Sequence, residues 1–419
     1  MMRNDMRRTA GLCRCATAFL SFLLIAVSSR GQTLEHYLQE AVENNPGVKA
    51  QYVAFEAALQ QVHQVSSLPD PGLSFGYFIS PVETRVGAQK ARLTLTQMFP
   101  WFGTLAARKD VAANMAQAQY QRFRDAENEI VFKVTAAWYQ LYEVKEMLRL
   151  QMENVCILTS YKQLALASFS NAESGMVDVI RADLVLDNSR TEILLLKEKI
   201  RPLETAFMRL LNRERTDPII MPETLKIDSI RSTFAPDSIF VKNRLLRAMD
   251  LKIEAATARE KVASKQGLPS FGLGLTYTFV DKRADFNMPD NGKDVLMPMI
   301  SMTLPLFRQK HRAAAETARL QHVEFTLQKK SMQNMLISEF EMAVFNMKRA
   351  KQLFTLYENQ ITRTHRAIDL LQAAFSNSGR NFEDVMRMQQ QLLKFKMAKA
   401  TAAKEYYTAL AKQQYISGK

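Results

Sequence analysis

Cysteine is nearly missing from this chain. Of three in 419 residues, Cys13 and Cys15 precede the apolar run of an N-terminal leader, and only Cys156 lies beyond it. One thiol cannot build a disulfide framework, and its place in a helical pattern predicts a buried side chain. Proline and glycine are scarce too, 13 and 14 residues, while Ala, Leu, Met, Gln, Lys and Glu abound; long helices are the expectation. Beyond the leader no stretch reaches 18 consecutive apolar residues, so no helix should cross a membrane. Also lacking are a glycine-rich phosphate loop, a metal-spaced Cys/His set and a nucleophile constellation. The five histidines, His36, His63, His311, His322 and His365, are scattered. His311 and His322 share a helical face but stand about 16 Å apart along it, too far to hold one ion. Paired carboxylates occur only at the spacing of helical salt bridges. These absences argue against an enzyme, and neither a cofactor nor a metal site is expected.

The formal charge of +14 could read as a nucleic-acid signal. Part of it belongs to the leader, through Arg3, Arg7, Arg8, Arg14 and Arg30 offset by Asp5. The remainder is interleaved with acids as on solvated helix faces, so no nucleic-acid partner is expected. Met1–Gly31 combines a basic start, the apolar run Ala16–Val27 and small residues Ser29 and Gly31. That is the pattern of a secretory signal peptide cleaved near Gly31. The 22 methionines raise a copper or silver path as one reading; core filling in long helices is the other.

What is present is a duplication. Leu164–Arg181, LALASFSNAESGMVDVIR, recurs about 206 positions later as Leu370–Arg387, LLQAAFSNSGRNFEDVMR. Phe169-Ser170-Asn171 lies over Phe375-Ser376-Asn377, and Asp178-Val179 with Arg181 over Asp384-Val385 with Arg387. Each copy ends one helical pattern, turns through Ser, Asn and Gly, and starts another, so the turns are equivalent tips of two helical hairpins. Pro69 to Gly76 resembles Pro269 to Gly272, and Phe99-Pro100-Trp101-Phe102 resembles Leu304-Pro305-Leu306-Phe307. The expected organisation is a first repeat over 32–212, a connector over 213–237 with a short strand-like Leu225–Ile227, and a second repeat over 238–419.

Thr33 is placed to cap a first helix, which Asn44-Asn45-Pro46 should interrupt because the residue before proline leaves the helical region. A second helix runs to Ser67. The period then changes from 3.6 to 2. Leu73, Phe75, Tyr77 and Ile79 face one way and Ser74 and Gly76 the other, with Phe78 the exception. Ala91, Leu93 and Leu95 oppose Arg92, Thr94 and Thr96, with Ser80–Lys90 read as a polar loop between the strands. The second copy repeats the hairpin over about 270–305, with Asp281–Asp294 as its loop.

Alternating strands of about ten residues carry the transmembrane β-barrel signature. A soluble sheet with one wet face has the same alternation, and the helices shift the balance. Gly103–Phe169 and Arg308–Phe375 contain no proline, and each would span about 100 Å, longer than a globular domain. Return helices are expected from about Val177 to Asn212, kinked at Pro202, and from about Glu383 to Ile416. Phe99, Trp101, Phe102, Phe286 and Phe307 cluster at strand ends, where an interfacial aromatic girdle facing outer-membrane lipid belongs. Four strands cannot close a barrel, and an open edge in hydrocarbon leaves unpaired backbone groups. An oligomer follows, its number undetermined by the pattern.

These features together resemble the TolC family of outer-membrane efflux proteins. The resemblance rests on Thr33-Leu34 through Asn44-Asn45-Pro46, the proline-bounded hairpins at Pro69/Pro100 and Pro269/Pro305, and the twin tips with Asp178-Val179 and Asp384-Val385. It implies a mainly α fold with a small β part: a homotrimer whose 12-stranded outer-membrane β-barrel continues into a long α-helical barrel. It also implies docking to an inner-membrane transporter, of the RND type, through a periplasmic adaptor (membrane fusion) protein. Residues 78–84 and 97–103 are similar to members associated with heavy-metal efflux.

The resemblance further implies a periplasmic gate, with Asp178, Phe375, Arg380 and Asp384 in matching places. Phe375 lacks the family's hydroxyl, and Arg387 stands where a second acid belongs, which argues against a purely acidic, cation-selective mouth. Asp178/Arg181 and Asp384/Arg387 equally fit simple i,i+3 pairs near helix starts. A passive efflux duct for small molecules or metal ions is the primary expectation. A duct for type I protein secretion is the alternative, and a periplasmic adaptor or helical scaffold without a barrel is the rival class.

Overall fold

The computed structural model describes residues 33–172, 175–214, 219–222, 225, 227, 241–284, 289–378 and 382–418. The leader, most of the connector, Phe286 and Arg380 lie outside these residues. The elements run in the order α1 (Leu34–Asn44), α2 (Pro46–Ser66), β1 (Gly72–Thr84), β2 (Gly87–Phe99), α3 (Thr104–Ser170), α4 (Met176–Leu210), α5 (Arg244–Gln266), β3 (Ser270–Val280), β4 (Val295–Thr303), α6 (Arg308–Ser378) and α7 (Phe382–Ile416). The duplicated order is explicit: α2, β1, β2, α3, α4 answers to α5, β3, β4, α6, α7.

Asn45 leaves the helical region, at φ −64° and ψ 124°, and separates α1 from α2. Thr33 stands at the start of α1, but its side chain makes no capping bond. Its carbonyl instead accepts from the His36 and Tyr37 amides at 3.1 and 3.4 Å. Asn243 does cap α5, accepting from the Leu246 amide at 3.1 Å. Helix α4 runs through Pro202 to Leu210.

The chain divides into two compact units. One holds α1, α3 from Glu129, α4, α6 from Ala343 and α7 to Gln413. Its α1 is fastened to the end of α4. Tyr37 and Phe207, both fully buried, meet edge to face at 5.2 Å. Glu40 accepts from Nε and Nη2 of Arg213, both at 2.5 Å, and Asn45 Nδ2 donates to the Leu210 carbonyl at 2.9 Å. Burying the two aromatic side chains contributes about 1.5–3 kcal/mol each. Farther along, Tyr139 of α3 stacks on Tyr407 of α7, with centroids 4.5 Å apart and planes 2° from parallel. Ala350, Ala402 and Ala403 are buried beside this layer and permit close helix approach. Ile227 of the connector packs against the cluster of Met347, Ala350 and Tyr406. Together with Leu225 it also packs against Phe354, Ala402 and Ala403.

Two expectations change here. Leu225 and Ile227 belong to no strand; they are apolar plugs in grooves between helices. Cys156 is exposed, because the buried side chains of this stretch, Gln151, Asn154 and Leu158, mark the other face of α3.

The second unit holds α2, α3 to Asn128, α5, α6 to Met342, the C-terminal segment from Gln414, and the sheet. The sheet is antiparallel in the order β1-β2-β3-β4. Its register aligns Leu73, Leu95, Leu275 and Pro298 across the four strands, and Phe75, Leu93, Tyr277 likewise with Leu296. The first hairpin is longer than the alternation indicated. β1 runs to Thr84 and β2 starts at Gly87, so most of Ser80–Lys90 is strand. Gly87 makes the tight turn possible with φ 136°, and Thr84 Oγ1 donates to its carbonyl at 2.5 Å. Pro81 and Pro298 fall on β1 and β4, the edge strands, where a missing amide is tolerated.

Candidate functional site

The tip residues lie in the first unit. At the start of α4, Asp178 Oδ1 is 3.5 Å from Arg181 Nη1, an i,i+3 pair within one turn. The same Nη1 is 2.8 Å from Oε2 of Glu383 in α7, so Arg181 links the first repeat to the second. Arg387 pairs with Asp384 on α7. The two predicted acids are thus each engaged by an arginine of their own helix. The link between the repeats runs through Glu383, which sequence reasoning passed over: its partner lies in the other repeat, and no local spacing reveals it.

Beneath these charges is an apolar cluster. Val179, Ala182 and Leu186 of α4, Leu158 and Ala165 of α3, and Phe382 and Met386 of α7 are buried together, with Phe375 packed against them. Phe375 meets Phe382 at 5.9 Å, and Phe382 meets Tyr161 edge-on at 6.4 Å. The structure therefore brings Asp178, Arg181 and Glu383 together, brings Asp384 and Arg387 together, and turns Phe375 into the packing under them. Arg380 lies outside the described residues.

The strand-end aromatics lie in the second unit. Trp101 stacks on Phe271 at 5.8 Å, and Phe99 is cross-strand partner to Phe271. Phe102 and Phe307 are largely exposed, at 80% and 87%. Lys265 Nζ donates to the Phe102 carbonyl at 3.1 Å.

The two faces of the sheet differ in kind. One carries Leu73, Phe75, Tyr77, Leu93, Leu95, Leu273, Leu275 and Ile300, all exposed in the single chain. The other carries Ser74, Thr94, Thr96, Gly272, Gly274 and Thr276 together with Met98, Met297 and Met299, with Thr94 and Thr276 hydroxyls 3.0 Å apart. Beyond the strands, the segment after β3 lies over the first hairpin's turn. The Asp281 amide donates to Ala88 O at 2.8 Å and the Gly292 amide to Val86 O at 2.7 Å. Lys90 holds the Asp281 carboxyl below the usual carboxylate range, and the Tyr277 hydroxyl does the same for Asp294.

A sheet of alternating strands with one apolar and one small polar face, two open edges, and helices of 67 and 71 residues defines the outer-membrane duct class. The outer membrane efflux protein family matches the chain over residues 37–213 and 235–418. The chain belongs to that family.

Solved structures with the same fold include a membrane protein from Pseudomonas aeruginosa, TM-score 0.78 at 15% identity, covering 92% of this chain and 90% of that one. The outer membrane protein VceC from Vibrio cholerae gives 0.75 at 17%, covering 92% and 96%. The channel CusC gives 0.75 at 12%, covering 92% of each chain. No curated protein matches the chain. The protein is an outer-membrane efflux duct, as its family is, and not an enzyme. Channels of this family form trimers and work with adaptor and inner-membrane transporter partners. Among the described residues no helix is long and apolar enough to cross a membrane, and no group of three metal-ligating side chains occurs.

Proposed function

We propose that three copies of this chain close one barrel, each giving its four strands, and that the trimer is the exit duct of a tripartite system. An RND-type transporter would hand cargo through a periplasmic adaptor to the helical tips. The observation that carries this is the sheet, with unpaired edges at β1 and β4 and a continuous exposed apolar face. Neither feature is stable in one chain alone, since open edges in hydrocarbon cost several kcal/mol per unpaired group. Joining β4 of one copy to β1 of the next removes both edges. Phe99, Trp101, Phe102 and Phe307 are then at the level where aromatic side chains meet lipid headgroups.

The tips are the gate in this reading. Arg181 with Glu383 holds the two hairpins of one chain together, while Asp178, Asp384 and Arg387 set the charge around them and Phe375 anchors the packing beneath. Arg380, which the resemblance matches to the gate, completes the set. Adaptor contact would shift a closed population to an open one. Exposed ion pairs of this kind are worth about 0.2–1 kcal/mol each, a size that partner binding can overcome.

Cargo is tested by deleting the gene and challenging the strain with metals, dyes, detergents and antibiotics. Sensitivity confined to copper, silver, zinc, cobalt or cadmium assigns metal ions, and broad sensitivity to amphiphilic drugs assigns small organic molecules. An unchanged strain that stops secreting a protein contradicts small-molecule efflux.

A further inference from the structure

Apart from Glu83 on β1 and Lys90 on β2, which lie beyond the register shifts toward the hairpin turn, the sheet contains a single charged side chain. Across residues 72–79, 91–99, 270–280 and 295–303, the only Asp, Glu, Lys or Arg is Arg92. It stands on the small, polar face: its cross-strand neighbours are Gly76 on one side and Thr278 on the other. Strand β2 is interior to the sheet, so Arg92 is flanked by its own chain and not by a seam between copies. Its guanidinium carbon lies 5.6 Å from the centre of the Phe78 ring. Phe78 is the residue that breaks the alternation of β1, and the contact gives that break a purpose: the ring holds the cation against the wall. Among the described residues no carboxylate pairs with Arg92.

We infer that Arg92 sets the charge selectivity of the barrel lumen, favouring passage of anions and of anionic cargo over cations. The inference rests on the trimeric barrel proposed above. Ionisable residues facing the interior of membrane-spanning segments mark ion pathways. Twelve strands spaced about 4.8 Å apart and tilted about 40° give a backbone radius of about 12 Å. Held beside Phe78, the guanidinium stands between about 6 Å (fully extended) and about 12 Å (flat on the wall) from the axis, comparable to the Debye length of about 10 Å at 0.1 M salt. Three such charges act together on the axis, and at about 1 M salt, where the screening length is about 3 Å, they cease to reach it.

The test uses full-length protein in planar lipid bilayers, with reversal potentials read under a potassium chloride gradient. Near 0.1 M, Arg92→Ser is expected to lower the chloride-to-potassium permeability ratio by about two-fold or more. Arg92→Glu lowers it further, Arg92→Lys keeps it, and the differences vanish near about 1 M. Arg92→Gln replaces Arg92→Ser should the shorter side chain fail to assemble. A conducting channel whose ratio is the same in wild type, Arg92→Ser and Arg92→Glu overturns this inference and leaves the trimeric duct standing. Protein that forms no conducting channel even after the tips are loosened by Arg181→Ala with Glu383→Ala overturns both.

Discussion

Arg181 Nη1 lies 2.8 Å from Glu383 Oε2, and through this contact the second turn of α4 is joined to the first turn of its duplicate, α7. If it helps to keep the periplasmic end closed, Arg181→Ala and Glu383→Ala should each raise single-channel conductance and sensitise cells to large antibiotics. The charge-swapped pair Arg181→Glu with Glu383→Arg should restore both. Each link is worth about 0.2–1 kcal/mol, so single substitutions shift the closed population by up to about five-fold and do not abolish it. Unchanged conductance in both alanine variants contradicts the assignment.

The hairpin turn makes a second prediction. A Cβ on Gly87 would stand 1.7 Å from the Asp281 carbonyl oxygen, and φ of 136° disfavours any side chain there. Gly87→Ala should therefore release the segment after β3 from the turn, at a cost of about 1–3 kcal/mol. Trypsin applied to whole cells should then cut after Lys282 or Arg283 faster than in the wild type. Equal cleavage rates would show that the two hairpins do not hold each other.

The duplication, the two strand pairs and the helices around them were legible because they rest on period and punctuation: a shift from 3.6 to 2 bounded by prolines. The extension of β1 through Ser80–Thr84 was not, since polar residues there pair by backbone and leave no alternation to read. Leu225 and Ile227 looked like a strand because alternating apolar residues serve equally as plugs in helix grooves. At the tips, Asp178 and Asp384 were visible through the repeat. Glu383 was not, because an ion pair between repeats has no local spacing. Arg92 was visible as a polar-face residue, while its isolation became evident only once all four strands were in register.

Glu40 and Arg213 tie α1 to the end of α4, with both side chains less than one-fifth exposed. Glu40→Ala strips the guanidinium of its bidentate carboxylate and should destabilise the protein by about 1–3 kcal/mol, read as a lower denaturant midpoint in detergent. Arg213→Met added to Glu40→Ala should cost less than the sum of the single changes. Strict additivity would mean the two side chains do not interact.

Tyr139 gives a pH dependence. Burial first, and the neighbouring Tyr407 second, push its phenol above the ordinary value, and burial also raises Tyr142 and Tyr161. A raised folded value means the neutral form is favoured by folding. This contribution is complete below the unfolded value near about pH 10 and is lost as pH rises from there through the folded value. Stability should fall steeply above about pH 10, and Tyr139→Phe, which keeps the ring stack, should remove part of that fall. An identical alkaline profile in the variant contradicts the assignment.

The central claim is that separate chains share one barrel in the outer membrane. The most direct measurement is the copy number of the complex extracted from purified outer membranes, read by native mass spectrometry with a heated control. The account predicts a complex of three chains that falls to monomer only on heating. A soluble monomer in the periplasmic fraction would contradict it.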